Sequence, residues 1–192
     1  MDLQPHTTPS GFKLPSIHSL PPFFSKQENL ETLAISLDHW TRLILSYARF
    51  KRIFYLRVED AEVTGGDWDE VLRNTRINRR VRPEYLSFIL SQLVAKNLAV
   101  YDPIKQDRSV LLYWRTPDEW AEVLHSWATS TGQLNTILTF YEIIEPAVES
   151  QLSGIPVAIL RKAIAVLAKT ARAQSIGVAD GEGVRFFATH AR

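Results

Sequence analysis

The chain has 192 residues, 45% of them apolar and 22% charged, with 22 basic against 21 acidic side chains, a net charge of +1 and no cysteine. That length suits one large or two small globular units, and the missing cysteine excludes disulfides, thiolate catalysis and cysteine-based zinc sites. The balanced charge excludes the domain-wide basic excess of a typical nucleic-acid binder, and no apolar run is long enough to cross a bilayer.

The first residues, Met1-Asp2-Leu3-Gln4-Pro5, lack the basic and apolar regions of a signal peptide, so a cytoplasmic protein is expected. Residues 1–22 carry Pro5, Pro9, Pro15, Pro21 and Pro22 and read as an extended, proline-rich arm. The arm runs into Leu20-Pro21-Pro22-Phe23-Phe24, which places two large rings on a stretch with little tendency to fold alone. Either those rings staple back onto their own domain or they insert into a partner.

A helix is predicted from Thr32 as cap to about Arg52, with Leu33, Leu37, Trp40, Ile44, Tyr47 and Ala48 on one face. Phe54–Val58 alternates as a strand, Gly65-Gly66 breaks the chain, and Trp68–Arg73 reads as a short helix. Pro83 opens a further helix through Leu86, Leu90, Leu93 and Val94, ending near Asn97. Two apolar strands around the turn 102–109 then make a hairpin.

The pattern repeats. Asp38, Trp40, Ile44, Ser46, Tyr47 and Ala48 match Asp118, Trp120, Leu124, Ser126, Trp127 and Ala128 at an offset of 80. Pro83, Asp107 and Trp114 match Pro156, Asp180 and Phe187 at an offset of 73. The first copy therefore holds extra residues, placed within 60–82. Both copies read helix, strand, short helix, helix, hairpin, the order of a helix-turn-helix with a β-hairpin wing. In the second copy Thr136–Leu138 is the strand, Thr139-Phe140-Tyr141-Glu142 a capping box opening the short helix, and 179–183 the wing turn. The fold class is α+β: two tandem winged-helix domains at 23–115 and 116–187, between the arm at 1–22 and a tail at 188–192.

No catalytic constellation emerges. The five histidines are scattered, no HExxH, P-loop or GxSxG occurs, and Asp118-Glu119 suits a helix first turn. No cofactor, metal or small-molecule substrate is expected. The single basic cluster, Arg73, Arg76, Arg79, Arg80 and Arg82, leads into the Pro83 helix. It reads as a DNA contact, a solvated loop, or an arginine-rich protein contact. The exposed positions of that helix (Glu84, Ser87, Ser91, Gln92 and Lys96) carry little charge and speak against DNA.

Several short motifs in order resemble a known family. They are Pro21-Pro22-Phe23-Phe24, then Trp114-Arg115-Thr116-Pro117-Asp118-Glu119-Trp120, then Gly132-Gln133-Leu134-Asn135 with Tyr141-Glu142, then Asp180-Gly181-Glu182-Gly183-Val184-Arg185-Phe186-Phe187. Over roughly residues 20–187 this resembles the vacuolar-protein-sorting 25 subunit family of ESCRT-II, with Thr131 standing where that family has Ser. The resemblance implies two winged helices in a non-catalytic adaptor for sorting ubiquitinated membrane cargo into multivesicular bodies. It implies that Pro21, Pro22, Phe23 and Phe24, with the first winged helix, bind the larger subunits, vacuolar-protein-sorting 22 and 36, two copies of this subunit joining each complex. It also implies that the second winged helix recruits the ESCRT-III initiating subunit, vacuolar-protein-sorting 20, and that the endosomal membrane is met only indirectly, by a cytoplasmic complex peripheral to it. The alternative is a winged-helix DNA-binding transcription regulator working through residues 73–82.

Overall fold

A computed structural model describes residues 5–178 and 181–188, which divide at Trp114/Arg115 into two compact units. The first unit begins with a small antiparallel pair, β1 (His6–Thr7) and β2 (Lys13–Leu14), followed by 3-10 turns at Ser16–Ser19 and Pro21–Phe24. Helix α1 (Leu30–Lys51) starts earlier than Thr32 because Asn29 is the cap, its side chain accepting from the amides of Glu31 at 2.9 Å and Thr32 at 3.0 Å. It stops at Arg52, whose φ of 56° leaves the helical region. The predicted face of Leu33, Leu37, Trp40, Ile44, Tyr47 and Ala48 is the face that is buried.

Strand β3 (Tyr55–Arg57) leads directly into a 3-10 turn at Val58–Ala61, then come α2 (Asp69–Leu72), the two-residue strands β4 (Arg73–Asn74) and β5 (Arg79–Arg80), and α3 (Pro83–Ala95). The wing strands are β6 (Ala99–Tyr101) and β7 (Ser109–Leu112). In the sheet β7 lies between β3 and β6 and is antiparallel to both.

The second unit repeats this order: α4 (Pro117–Ser130), β8 (Ile137–Thr139), α5 (Phe140–Ile144), α6 (Val157–Lys169), β9 (Ala173–Val178) and β10 (Gly181–Phe186). Its sheet has β10 between β8 and β9, again antiparallel. Two units with the same element order and the same strand order are what a duplicated winged helix requires. Part of the wing turn at 179–183, and the tail beyond residue 188, lie outside the described residues.

The geometry corrects one detail of the repeat. The counterpart of α5 is the Val58–Ala61 turn, not Trp68–Arg73, since both follow their strand without a gap. Both are closed by a carboxylate at the third position: Asp60 accepts from the Arg57 amide at 2.8 Å and Glu142 from the Thr139 amide at 2.7 Å. The extra chain in the first unit thus includes α2, β4 and β5.

Each unit buries a core of its own. Trp40, Ile44, Tyr47, Leu56, Leu86, Leu90 and Val110 are fully buried in the first unit, as are Leu124, Ile143, Leu160, Leu167, Val184 and Phe186 in the second. Helix α4 opens with a reciprocal box, the Glu119 amide donating to Thr116 Oγ1 at 3.1 Å and the Thr116 amide to Glu119 Oε2 at 2.7 Å. Thr116→Ala is expected to lower the stability of the second unit by about 1 kcal/mol, measured by urea denaturation, with Thr116→Ser restoring most of the loss.

Candidate functional site: the N-terminal cover and the arginine groove

Residues 5–24 do not extend from the body. They lie on the first unit as a cover, held by α1 and by the segment that the second unit lacks. Ser10 donates its backbone amide to Glu70 Oε1 at 3.1 Å, and its hydroxyl to Glu70 Oε2. Tyr47 donates to the same Glu70 carboxylate at 3.2 Å and to the Asp67 carbonyl at 2.9 Å, with Phe12 edge-on to its ring at 5.1 Å. Burial raises the Glu70 carboxyl, but hydrogen bonds led by Ser10 outweigh it and hold the group below its ordinary value. Burial, then the charge of Glu70, pushes the Tyr47 phenol up.

Phe23 and Phe24 are buried, at 3% and 4% exposure, so of the two readings open from the sequence the rings here lie against their own domain, and the arm is not extended. Phe23 stacks flat on Trp40, centroids 4.3 Å apart and planes 3° apart, and its carbonyl accepts from Trp40 Nε1 at 3.0 Å. Phe24 meets Trp40 edge-on at 5.9 Å. The prolines make this possible. Pro21 sits at the first position of the 3-10 turn, where a missing N–H is not needed, so the turn closes and swings both rings inward. Pro21 and Pro22 themselves remain exposed. In the second unit Trp120, the counterpart of Trp40, carries instead the Arg115 guanidinium, 4.9 Å from its ring centroid.

His18 pins the cover from inside. It is 2% exposed, with Phe24 edge-on at 4.9 Å. Its Nε2 lies 2.8 Å from the Val71 carbonyl, an acceptor, so Nε2 carries the proton. Asn74 Oδ1 accepts from the Arg76 amide at 3.1 Å, which turns Asn74 Nδ2 toward the cover, where it donates to the His18 carbonyl at 2.8 Å and faces His18 Nδ1 at 3.3 Å. The ring is therefore the neutral tautomer with both nitrogens used. Burial pushes its pKa below the ordinary 6.5; the Val71 bond opposes this and the charge of His6 adds to it. Nothing local in the sequence marks His18 as different from the other histidines.

Beside this cover lies a cavity of about 910 Å³. Phe24, Tyr85 and Phe88 line it together with Pro21, and Arg79, Arg80 and Arg82 supply positive charge. Lys26 Nζ stands 4.0 Å over the Phe88 ring, and Glu84 lies on the same wall. The sequence cluster 73–82 is thus divided by the fold. Arg73 is half-buried and paired with Asp69, whereas the exposed Arg76, Arg79, Arg80 and Arg82 enter none of the ion pairs among the described residues. Aromatic rings beside exposed arginines that enter no such ion pair form a surface suited to apolar and acidic groups together. Among the described residues no group of side chains is arranged to hold a metal ion.

Comparison with known proteins agrees with this architecture. A family model described as ESCRT-II complex subunit matches residues 17–155. The vacuolar protein-sorting-associated protein 25 of Rattus norvegicus is 32% identical over 180 residues, spanning 92% of this chain and 98% of that protein. The human protein of that name is 31% identical over the same span. The crystal structure of subunit VPS25 of the endosomal trafficking complex ESCRT-II superposes with a TM-score of 0.72 at 22% identity, covering 90% of this chain and 98% of that one. A chain in the crystal structure of endosomal complex ESCRT-II (VPS22/VPS25/VPS36) gives the same TM-score at 23% identity, covering 90% of this chain and 98% of that one. The fold is that of these tandem winged helices, and the chain belongs to the ESCRT-II complex subunit family.

Proposed function

We propose that this chain is a non-catalytic docking subunit of an ESCRT-II assembly, joining larger subunits of the VPS22 and VPS36 kind through its first unit, two copies to a complex. The occurrence of a relative in a crystallised complex of VPS22, VPS25 and VPS36 supports those partners. The observation that carries the reading is the shared groove: Pro21 and Phe24 of the expected docking motif line the same cavity as Arg79, Arg80 and Arg82. A protein surface that offers an apolar patch beside a carboxylate satisfies both walls at once, with the charges setting orientation and encounter rate. Pro21, Pro22, Phe23 and Phe24 serve as the docking element: the prolines present it and the rings anchor it. The second unit recruits the initiating subunit of ESCRT-III, of the vacuolar-protein-sorting 20 kind. Sorting of ubiquitinated cargo follows at the endosome, which the chain reaches through its complex; no described helix is long and apolar enough to cross a membrane. No observation favours the DNA-binding alternative, since Arg79, Arg80 and Arg82 line an aromatic groove.

Co-expression with the two larger subunits, followed by mass measurement of the complex, tests the assembly. Within it, Arg79→Glu with Arg80→Glu is expected to weaken binding about tenfold or more, a loss of about 1.4 kcal/mol or more, and to reduce its salt dependence. Binding unchanged by the double reversal overturns the groove as the docking surface.

A further inference from the structure

We infer that His18 is a pH-sensitive clasp, holding the cover of residues 5–24 on the first unit only while its imidazole is neutral. The geometry leaves no place for a second ring proton. The Val71 carbonyl takes the proton on Nε2, and Nδ1 faces the amide nitrogen of Asn74, itself a donor. Asn74 cannot turn its oxygen to Nδ1 without giving up the bonds to the Arg76 amide and the His18 carbonyl. A proton on Nδ1 would set two donors against each other inside a buried, aromatic-lined site.

The charged groups around the clasp do not relieve this. A cavity of about 180 Å³ brings His18 together with His6 of its own segment, with Asp69, Glu70 and Arg73 of the α2–β4 stretch, and with Arg76. Asp69 is engaged by Arg73, and Glu70 by Ser10 and Tyr47. His6, Arg73 and Arg76 add positive charge. The 3-10 turn contributes only the rings of Phe23 and Phe24. With its folded-state pKa depressed by burial, His18 contributes its full stabilisation above about pH 6.5 and loses it as the pH falls below that, because the released ring binds the proton first.

Opening the cover would free Phe23 and Phe24 for a partner, a consequence that rests on the docking reading above; the clasp itself does not. Trp40 reports the state directly, since its indole N–H is bonded to the Phe23 carbonyl only when the cover is closed. The test follows that indole signal by nitrogen-labelled NMR on the full chain, from about pH 7.5 to about pH 5. Proteolysis of residues 5–24 is measured in parallel. The expected result is a weakening of the bonded indole signal as the pH falls below about 6.5, with cleavage rising in step. His18→Gln should abolish that dependence, and His6→Gln should retain it. Asn74→Asp, which gives up the bond to the His18 carbonyl but offers Nδ1–H an acceptor, should move the opening to lower pH, and decides the matter if His18→Gln leaves the cover open throughout. An indole signal unchanged down to about pH 5, or the same opening in a folded His18→Gln, overturns the clasp. Affinity for the larger subunits, measured separately near neutral pH, tests the docking reading without touching this result.

Discussion

Trp40→Ala is expected to destabilise the first unit by about 3–5 kcal/mol, the largest single effect in that half of the chain. The ring is fully buried. It carries Phe23 flat on one face and Phe24 at its edge, and donates to the Phe23 carbonyl at 3.0 Å. Its loss opens a cavity under the cover and removes the reason for the Pro21–Phe24 turn to point inward. Phe23→Ala with Phe24→Ala should cost less than Trp40→Ala, although two rings are removed. The cover can detach as a segment, so its loss is limited to the free energy of its own opening. Urea denaturation of the two variants, followed by far-UV circular dichroism, checks the order. In a double-mutant cycle the Phe23–Trp40 pair should couple by about 0.5–1.5 kcal/mol. A coupling near zero would place the solution structure of the free chain in an open form.

Phe186→Ala should cost the second unit about 3–5 kcal/mol by the same cavity argument. Phe186 is fully buried in the central strand β10, and its carbonyl accepts from the Asn135 amide at 2.7 Å. The strand pairs it with Ala173 of β9, and Leu134 bridges to it from the chain before β8. The cavity left by the ring would lie where the backbones of these three segments meet. A unit of this size has a stability of only about 4–12 kcal/mol at 0.05–0.15 kcal/mol per residue, so the variant should show a clearly raised unfolded population. Amide exchange in β9 and β10 near neutral pH should accelerate by about a hundredfold or more. Phe186→Leu should recover most of the loss. Exchange no faster than in the wild type would remove Phe186 from the core.

The strength expected of Phe23 and Phe24 in docking follows from where they start. A free arm would contribute the full burial of each ring, on the order of 1.5–3 kcal/mol. Rings already seated on Trp40 contribute only the difference between two buried positions. On the docking proposed above, binding is therefore expected to be an exchange of contacts, with the exposed arginines of the groove supplying part of the driving force.

Local chemistry carried much of the architecture. Apolar residues three and four apart specify the buried faces of α1, α3, α4 and α6, because helical geometry alone puts them on one side. The Thr139–Glu142 box, the proline at the start of α3 and the repeated Trp40/Trp120 register are legible for the same reason: each depends on neighbours within a few residues. The order of these local signals is enough to reveal the duplication and the family. The cover was not legible. Its proline content speaks only to how the segment would lie unattached and is silent about what the segment meets. Its attachments span 53 residues for His18 to Val71, 56 for His18 to Asn74 and 60 for Ser10 to Glu70. Those partners come together only after α1 and the inserted α2–β5 stretch have packed. A long-range contact stabilises only once the chain entropy of bringing its ends together has been spent by other contacts. For that reason no pattern near Phe23 could reveal that its ring lies on Trp40, and none near residue 79 that its arginine shares a groove with Phe24.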